Sequence, residues 1–120
     1  MKKILLFITL FIFTELSAVN VIPHPYEYDV NPLYRYYFTE QSGVVCKQKE
    51  LLPIAELFTE NIKKSTGLNL PIVKRSKNPI ILRIDKRMKH PEGYTLLIYT
   101  DAVELFGGSP VGVSYGLQTL

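Results

Sequence analysis

Few residues of this 120-residue chain are of a type and spacing that could do chemistry. Residues 112–116 read Gly-Val-Ser-Tyr-Gly, which matches the G-x-S-x-G string of serine hydrolases. In those enzymes the serine nucleophile lies on a sharp turn between a strand and a helix. The sequence around Ser114 instead predicts a position inside a helix, and no aspartate or histidine follows it. A self-sufficient hydrolase that uses Ser114 is therefore the least favoured hypothesis.

The histidines and carboxylates show no catalytic or metal-binding pattern. His24 and His90 lie beside prolines, and neither has a second His, Cys or carboxylate at zinc-ligand spacing. Glycosidases typically place two carboxylates at the scissile bond, but Glu92, Asp101 and Glu104 are scattered over predicted loops and a hairpin. We expect each of these side chains to be solvated. The sequence thus predicts no catalytic, cofactor-binding or metal-binding residue and no cofactor.

An aromatic cluster, Tyr34, Tyr36 and Tyr37, could stack on sugar rings. Alternating tyrosines in a strand more often serve the core on one face and cross-strand pairs on the other. The single cysteine, Cys46, excludes an internal disulfide, and its apolar neighbours indicate a small buried hydrophobe.

Composition and charge narrow the class of protein. The chain is 47% hydrophobic and 21% charged with a net charge of +3, which is too apolar for a disordered chain. It is too short for a complete (β/α)₈ barrel of roughly 250 residues. The densest basic cluster is Lys74, Arg75 and Lys77. Because nucleic-acid-binding proteins carry a broader basic face, we interpret this cluster as a solvated loop and expect no nucleic-acid partner.

The first eighteen residues have the layout of a secretory signal peptide. Lys2 and Lys3 precede an apolar run, Ile4–Phe13, and small residues follow at Ser17 and Ala18. A membrane anchor is the alternative, but a span needs about 20 apolar residues, and Glu15 interrupts this run. We therefore predict a signal peptide over residues 1–18, no stable membrane span, and an exported protein that is periplasmic, cell-surface or secreted.

The remaining pattern predicts a mixture of strands and two helices. Apolar residues recur at helical spacing from Leu51 to Ile62, with Gly67 as the C-cap. Ser109 and Pro110 suit the N-cap and first position of a second helix that runs to Leu120. The predicted strands are Tyr34–Glu40, Gly43–Cys46, Ile80–Asp85, and a hairpin of Tyr94–Tyr99 with Ala102–Phe106.

This order of elements resembles the N-terminal domain that precedes the catalytic barrel of family 20 glycoside hydrolases, the β-N-acetylhexosaminidases. The most specific segments are Pro91–Leu96, which contains E-G-Y-T-L, and Tyr115–Leu120, which reads Y-G-L-Q-T-L. The resemblance covers most of residues 20–120 and implies an α+β fold, an antiparallel sheet with two helices packed on one face. Related domains also precede the barrels of O-GlcNAc-type hexosaminidases and α-glucuronidases, which are the alternative families.

The resemblance also implies a reaction for a longer parent enzyme. Such an enzyme removes terminal β-linked N-acetylhexosamines from glycans with retention, and an adjacent Asp-Glu pair in the barrel carries the chemistry. This chain has no such dipeptide, so no catalytic residue can be assigned by resemblance. The resemblance thus implies that residues 19–120 are an inactive accessory domain, truncated before the catalytic barrel. The barrel of the same polypeptide is the expected partner of this domain, and the glycan is expected to bind to the barrel.

Two further expectations depend on this interpretation. The apolar end of the chain would be a severed junction with the barrel, and it would leave an exposed apolar patch at Leu117 and Leu120. The competing hypothesis from another functional class is a free-standing carbohydrate-binding module that uses the tyrosine cluster.

Overall fold

The computed structural model describes residues 29–120, so His24 and the predicted signal peptide lie outside the described residues. Four strands and two helices follow one another in this range, with a single 3-10 turn at Lys49–Leu51. In chain order they are β1 (Ser42–Cys46), α1 (Leu52–Thr66), β2 (Asn78–Ile84), β3 (Tyr94–Ile98), β4 (Val103–Gly107) and α2 (Pro110–Thr119).

The four strands form one mixed sheet in the order β1-β2-β4-β3. β1 pairs with β2 and β2 with β4 in parallel, and only β3 and β4 are antiparallel. The prediction of a purely antiparallel sheet is therefore wrong, although the α+β class is confirmed. Parallel neighbours need a crossover connection, and α1 provides it between β1 and β2. The β3–β4 hairpin then places β4 between β2 and β3.

Both helices pack on one face of the sheet, as predicted. Because side chains alternate between faces along a strand, one set of apolar residues points to the helices and the other points away. The buried strand residues on the helix side are Val44, Ile80, Leu82, Val103 and Leu105. The buried helix residues that complete this core are Ala55 and Phe58 from α1 and Val113 and Leu117 from α2. Leu117 is only 7% exposed and Leu120 packs against the core, so the expected apolar patch at these residues is wrong.

α1 has the limits that its sequence predicts. Pro53 lies in the first turn, where its missing N–H removes no helical hydrogen bond. Gly67 ends the helix with φ 75°, and its N–H donates to the Lys63 carbonyl over 2.9 Å. A left-handed C-cap of this kind favours glycine, because other residues are strained there. Glu60 and Lys64, four residues apart on α1, form an ion pair at 2.7 Å.

Residues 34–40 do not form the predicted strand. Side-chain hydrogen bonds hold this segment against the start of β2 in place of a backbone ladder. The Tyr36 hydroxyl donates to the Asn78 carbonyl over 2.8 Å, and the Asn78 amide donates to the Tyr37 carbonyl over 2.9 Å. The alternating aromatic pattern is real, since Tyr36 points inward, but a strand also needs a partner strand and none pairs with this segment in residues 29–120.

The outer edge of β1 is occupied by the chain that follows α1. Val44 donates its N–H to the Pro71 carbonyl and accepts from the N–H of Val73, each over 2.9 Å. Ile72 forms a parallel bridge with Val44. Residues 71–73 therefore cover an edge that would otherwise expose unpaired backbone groups.

Candidate functional site

Ser114 lacks the setting of a nucleophile. It is the fifth residue of α2 and half-buried, whereas the hydrolase motif requires the serine on the strand-to-helix turn itself. No hydrogen bond joins its hydroxyl to a histidine or carboxylate within residues 29–120. The G-x-S-x-G string is therefore explained by helix packing, in which both of its glycines are buried.

Glu92 and Asp101 lie at opposite ends of β3, and Glu104 lies on β4. Glu92 precedes β3 and Asp101 follows it, so the five residues of β3 separate them by roughly 17 Å at strand spacing. Glu104 lies on β4 and alternates with the buried residues Val103 and Leu105, which directs it to the sheet face away from the helices. Paired glycosidase carboxylates lie about 5–9.5 Å apart.

Metal-binding side chains do not cluster either. Among the residues that the structure describes, no group of three or more His, Cys, Asp or Glu side chains could hold a metal ion. His90 is exposed, and its backbone carbonyl accepts the Gly93 N–H over 3.0 Å in the turn before β3. No helix within the described range is long and apolar enough to cross a membrane.

The tyrosine cluster is split between two environments. Tyr34 and Tyr37 are 53% and 65% exposed, but Tyr36 is partly buried and packs edge-on against Phe38, with ring centroids 5.4 Å apart and planes at 89°. Burial raises the pKa of the Tyr36 phenol, and the Ser42 hydroxyl offsets part of that rise. The structure therefore does not bring the three rings into one sugar-stacking platform.

Two glycines of α2 contact the loop before β3 and strand β4 directly. A Cβ on Gly112 would collide with the Gly93 carbonyl oxygen and lie 3.0 Å from the Pro91 oxygen. A Cβ on Gly116 would collide with one methyl of Leu105 and lie 2.9 Å from the other. Small residues let elements approach closely, so these glycines set the distance between α2 and the strands beneath it.

The turn into α2 is tied to the loop before β3. Gly108 donates its N–H to the Gly93 carbonyl over 2.9 Å. The Ser109 hydroxyl donates to the Pro91 carbonyl over 2.6 Å. Ser109 occupies the predicted N-cap position, but its side chain makes no cap bond to the helix. It joins two parts of the chain instead.

The outer side of the two helices, called the helix layer here, exposes several large apolar side chains. Leu52 and Leu57 of α1 are 41% and 59% exposed, and Val111 of α2 is 48% exposed. Isolated exposed apolar residues are common on proteins. Leu52 and Leu57 are five residues apart and so lie about 140° apart around α1, which means that these residues do not form one apolar stripe.

A groove of about 900 Å³ lies on the other side of the sheet, across β1 and β2. Its floor includes Val45, Pro79 and Ile81, which alternate with the core residues of the same strands. Four cationic side chains also line the groove: Lys47, Lys74, Arg75 and Arg83. Only Lys74 and Arg75 are adjacent in sequence, so sequence inspection found half of this basic cluster. Lys77, the third residue of the predicted cluster, does not line the groove.

Cys46 ends β1 beside this groove and is half-buried. Burial raises the pKa of its thiol, and the negative charge of Glu56 raises it further. A reactive cysteine needs a lowered pKa. The interpretation of Cys46 as a packing residue is thus consistent with its surroundings.

Residues 18–120 match the protein family described as glycosyl hydrolase family 20, domain 2. The chain belongs to this family. The two segments that carry the family resemblance pack together in the fold: the Tyr94 and Thr119 hydroxyls share a hydrogen bond of 2.7 Å between β3 and α2.

Among the relatives of this family 20 domain is a β-hexosaminidase of Porphyromonas gingivalis, 29% identical over 108 residues. The match covers 87% of this chain and 14% of that protein. The fold is similar to the family 20 β-N-acetylhexosaminidase of Streptomyces coelicolor A3(2), with a TM-score of 0.64 and 24% identity over 71% of this chain and 17% of that chain.

A second similar structure is the family 20 exo-β-N-acetylglucosaminidase of Vibrio harveyi in complex with N-acetylglucosamine. Its TM-score is 0.62 at 19% identity, over 70% of this chain and 13% of that chain. At these identities the two structures support the fold alone. The family 20 domain described here thus spans about one seventh of the length of the proteins it matches.

Proposed function

We propose that residues 19–120 are the non-catalytic accessory domain of an exported β-N-acetylhexosaminidase, which removes terminal β-linked N-acetylhexosamines from glycans. The observation that carries this proposal is the family 20 domain 2 match over residues 18–120. The similar β-hexosaminidase of Porphyromonas gingivalis is much longer, since the match covers only 14% of it. The catalytic barrel follows this domain in the parent polypeptide, and the glycan binds there.

The accessory domain is inactive by itself. The absence of an adjacent Asp-Glu dipeptide from the sequence supports this, because the resemblance assigns the chemistry to such a pair in the barrel. The test is hydrolysis of 4-nitrophenyl N-acetyl-β-D-glucosaminide by the parent polypeptide and by this chain at equal molar concentration. We expect turnover by the parent only. Turnover by the purified chain, or none by the parent, would contradict the proposal.

The domain supports the barrel through its helix layer. Leu57 and Val111 are the most exposed apolar residues on the two helices, and burial of their side chains against a second domain would be favourable. In the parent, Leu57→Gln with Val111→Gln is expected to lower the melting temperature of the catalytic unit. Leu97→Gln is the matched control, since Leu97 is 38% exposed on β3. An equal effect of the control would argue against a helix-layer interface.

Export rests on the signal-peptide pattern of residues 1–18. In a bacterial host the parent should leave the cytoplasm and begin at Val19, which mass spectrometry of the mature amino terminus can measure. Leu6→Arg places a charge in the apolar run and should block export. Retention of residues 1–18 on a membrane-bound product would favour the anchor alternative.

A further inference from the structure

No ion pair within residues 29–120 involves the basic groove on the open sheet face. Two ion pairs occur within the described part of the chain, Glu60–Lys64 and Asp85–Arg87, and neither involves a groove residue. Lys47, Lys74, Arg75 and Arg83 therefore have no carboxylate partner in residues 29–120. Four unpaired cations around one groove create a positive potential that attracts an external anion.

One carboxylate lies beside the groove on the open face of the sheet. On strands β1 to β4 the positions that point away from the helices include a single carboxylate, Glu104. It lies on β4 in register with Ile81 of the groove floor and on the strand next to Arg83, but it does not line the groove or form an ion pair. Four cationic side chains thus line the groove, and a single strand carboxylate lies beside it.

We propose that this groove binds an acidic glycan segment, one whose sugar rings carry carboxylate or sulfate groups, and so holds a charged substrate near the catalytic barrel. The inference rests on the proposed function, which makes a glycan the polymer that this domain meets. Basic side chains would pair with the acidic groups, and the aliphatic floor of Val45, Pro79 and Ile81 would contact the C–H faces of the rings. The volume of about 900 Å³ lies within the usual range of ligand sites and admits more than a single ion.

The shape and backbone of the site favour a glycan over other anionic partners. An acidic peptide typically gains affinity by adding a strand to a free sheet edge. Here residues 71–73 occupy the edge of β1, and the groove floor lies on strands that are already paired. An anionic membrane presents a flat surface, whereas this site is concave. An acidic glycan needs neither a free strand edge nor a flat surface, because its carboxylate or sulfate groups can pair directly with the basic side chains of the groove.

The test measures binding to this 120-residue chain by isothermal titration calorimetry with four probes of stated composition. They are an octasaccharide of alternating glucuronate and N-acetylglucosamine, a neutral N-acetylglucosamine hexamer, an octaglutamate peptide, and phosphatidylglycerol vesicles. The variant combines Lys74→Gln, Arg75→Gln and Arg83→Gln. The matched control removes three exposed lysines outside the groove: Lys63→Gln, Lys86→Gln and Lys89→Gln.

We expect the acidic octasaccharide to bind more tightly than the neutral hexamer and more weakly as salt is added. The groove variant should bind it about tenfold more weakly, and the control variant within about twofold of the wild type. Equal loss in both variants, or equal affinity for the neutral hexamer, would overturn the proposal. Tighter binding of octaglutamate or of vesicles than of the octasaccharide would overturn it in favour of a peptide or a membrane.

The outcome can be separated from that of the proposed function. Turnover of the small chromogenic substrate by the parent does not involve the groove and should be equal in both variants. If turnover is present and the groove variant binds normally, the acidic-glycan inference fails alone. If the parent shows no turnover, the proposed function fails whatever the chain binds.

Discussion

The contact between Gly116 and Leu105 offers a quantitative test of how α2 is seated on the sheet. A methyl group at Gly116 would overlap one methyl of Leu105, lie 2.9 Å from the other and 3.1 Å from the Cγ atom. Leu105 is fully buried between α2 and the neighbouring strands, so it has little room to move. Overpacking of a core costs about 1–3 kcal/mol, and we place this site in the upper half of that range.

The Gly116→Ala change has an opposing favourable term. Alanine stabilises a helix interior by about 1 kcal/mol relative to glycine. The net effect on the free energy of unfolding is then a loss of about 1–2 kcal/mol. For a domain of this size that corresponds to a fall in melting temperature of about 5–10 °C. Urea and thermal unfolding followed by circular dichroism measure both quantities.

A double-mutant cycle with Leu105→Ala isolates the overlap. Leu105→Ala alone should cost about 3–4 kcal/mol, because it leaves a cavity in the core. In that background the overlap is gone, so Gly116→Ala should stabilise by about 1 kcal/mol. The expected coupling is therefore about 2–3 kcal/mol in favour of the double variant. Gln118→Gly, at an exposed position of α2, checks the helix-propensity value independently. Additive effects, or a more stable Gly116→Ala single variant, would refute the packing argument.

Three further predictions concern single positions. Gly67→Ala should lower the free energy of unfolding by about 1 kcal/mol, because the residue has φ 75°, a backbone conformation that alanine adopts only with strain. No neighbouring atom lies within 4 Å of a new Cβ, so steric overlap adds nothing to this cost. Gly67→Asn should cost less, and urea unfolding measures both. Alkylation of Cys46 by iodoacetamide at pH 8 should be slower than alkylation of glutathione and should accelerate as the pH rises, because the raised pKa of the Cys46 thiol lowers its thiolate fraction. Glu56→Gln removes a nearby negative charge and should increase the rate. A rate equal to that of glutathione would contradict the burial argument. Tyr36→Phe should cost about 1 kcal/mol through loss of the hydrogen bond to the Asn78 carbonyl, and an unchanged urea midpoint would show that this bond does not anchor residues 34–40.

Local patterns in the sequence predicted the helices and the β3–β4 hairpin well. The limits of α1 follow from apolar spacing, Pro53 and Gly67, all of which act within a few residues. The start of α2 follows from Ser109 and Pro110 in the same way. Such signals specify an element but not its partner. The parallel pairing of β2 with β1 and β4 depends on where the whole chain folds back, and no short segment encodes that.

The errors have the same origin. Residues 34–40 carry a strand-like pattern, but the Asn78 side chain takes the backbone carbonyl that a partner strand would need. Leu117 was predicted to be exposed because it lies near the end of the chain, but α2 packs on the sheet and buries its side chain in the core. The sequence predicted only two of the four basic residues of the groove, Lys74 and Arg75. Lys47 and Arg83 lie far apart in the sequence and join this cluster only because β1 and β2 pair.

The helix side and the open sheet face differ in rigidity and charge, and this difference fits the two roles proposed above. On the helix side, glycines 112 and 116 let α2 approach the sheet until backbone and core atoms touch, which leaves that layer little freedom to shift. A rigid layer with exposed apolar side chains can hold a second domain in one orientation. The open face needs no such rigidity, because charged side chains attract an anionic polymer over several ångströms and adapt to its spacing. Under the two roles proposed above, substitutions in the groove should change glycan affinity without changing stability, whereas substitutions under α2 should lower stability and, through the helix layer, weaken the support of the barrel.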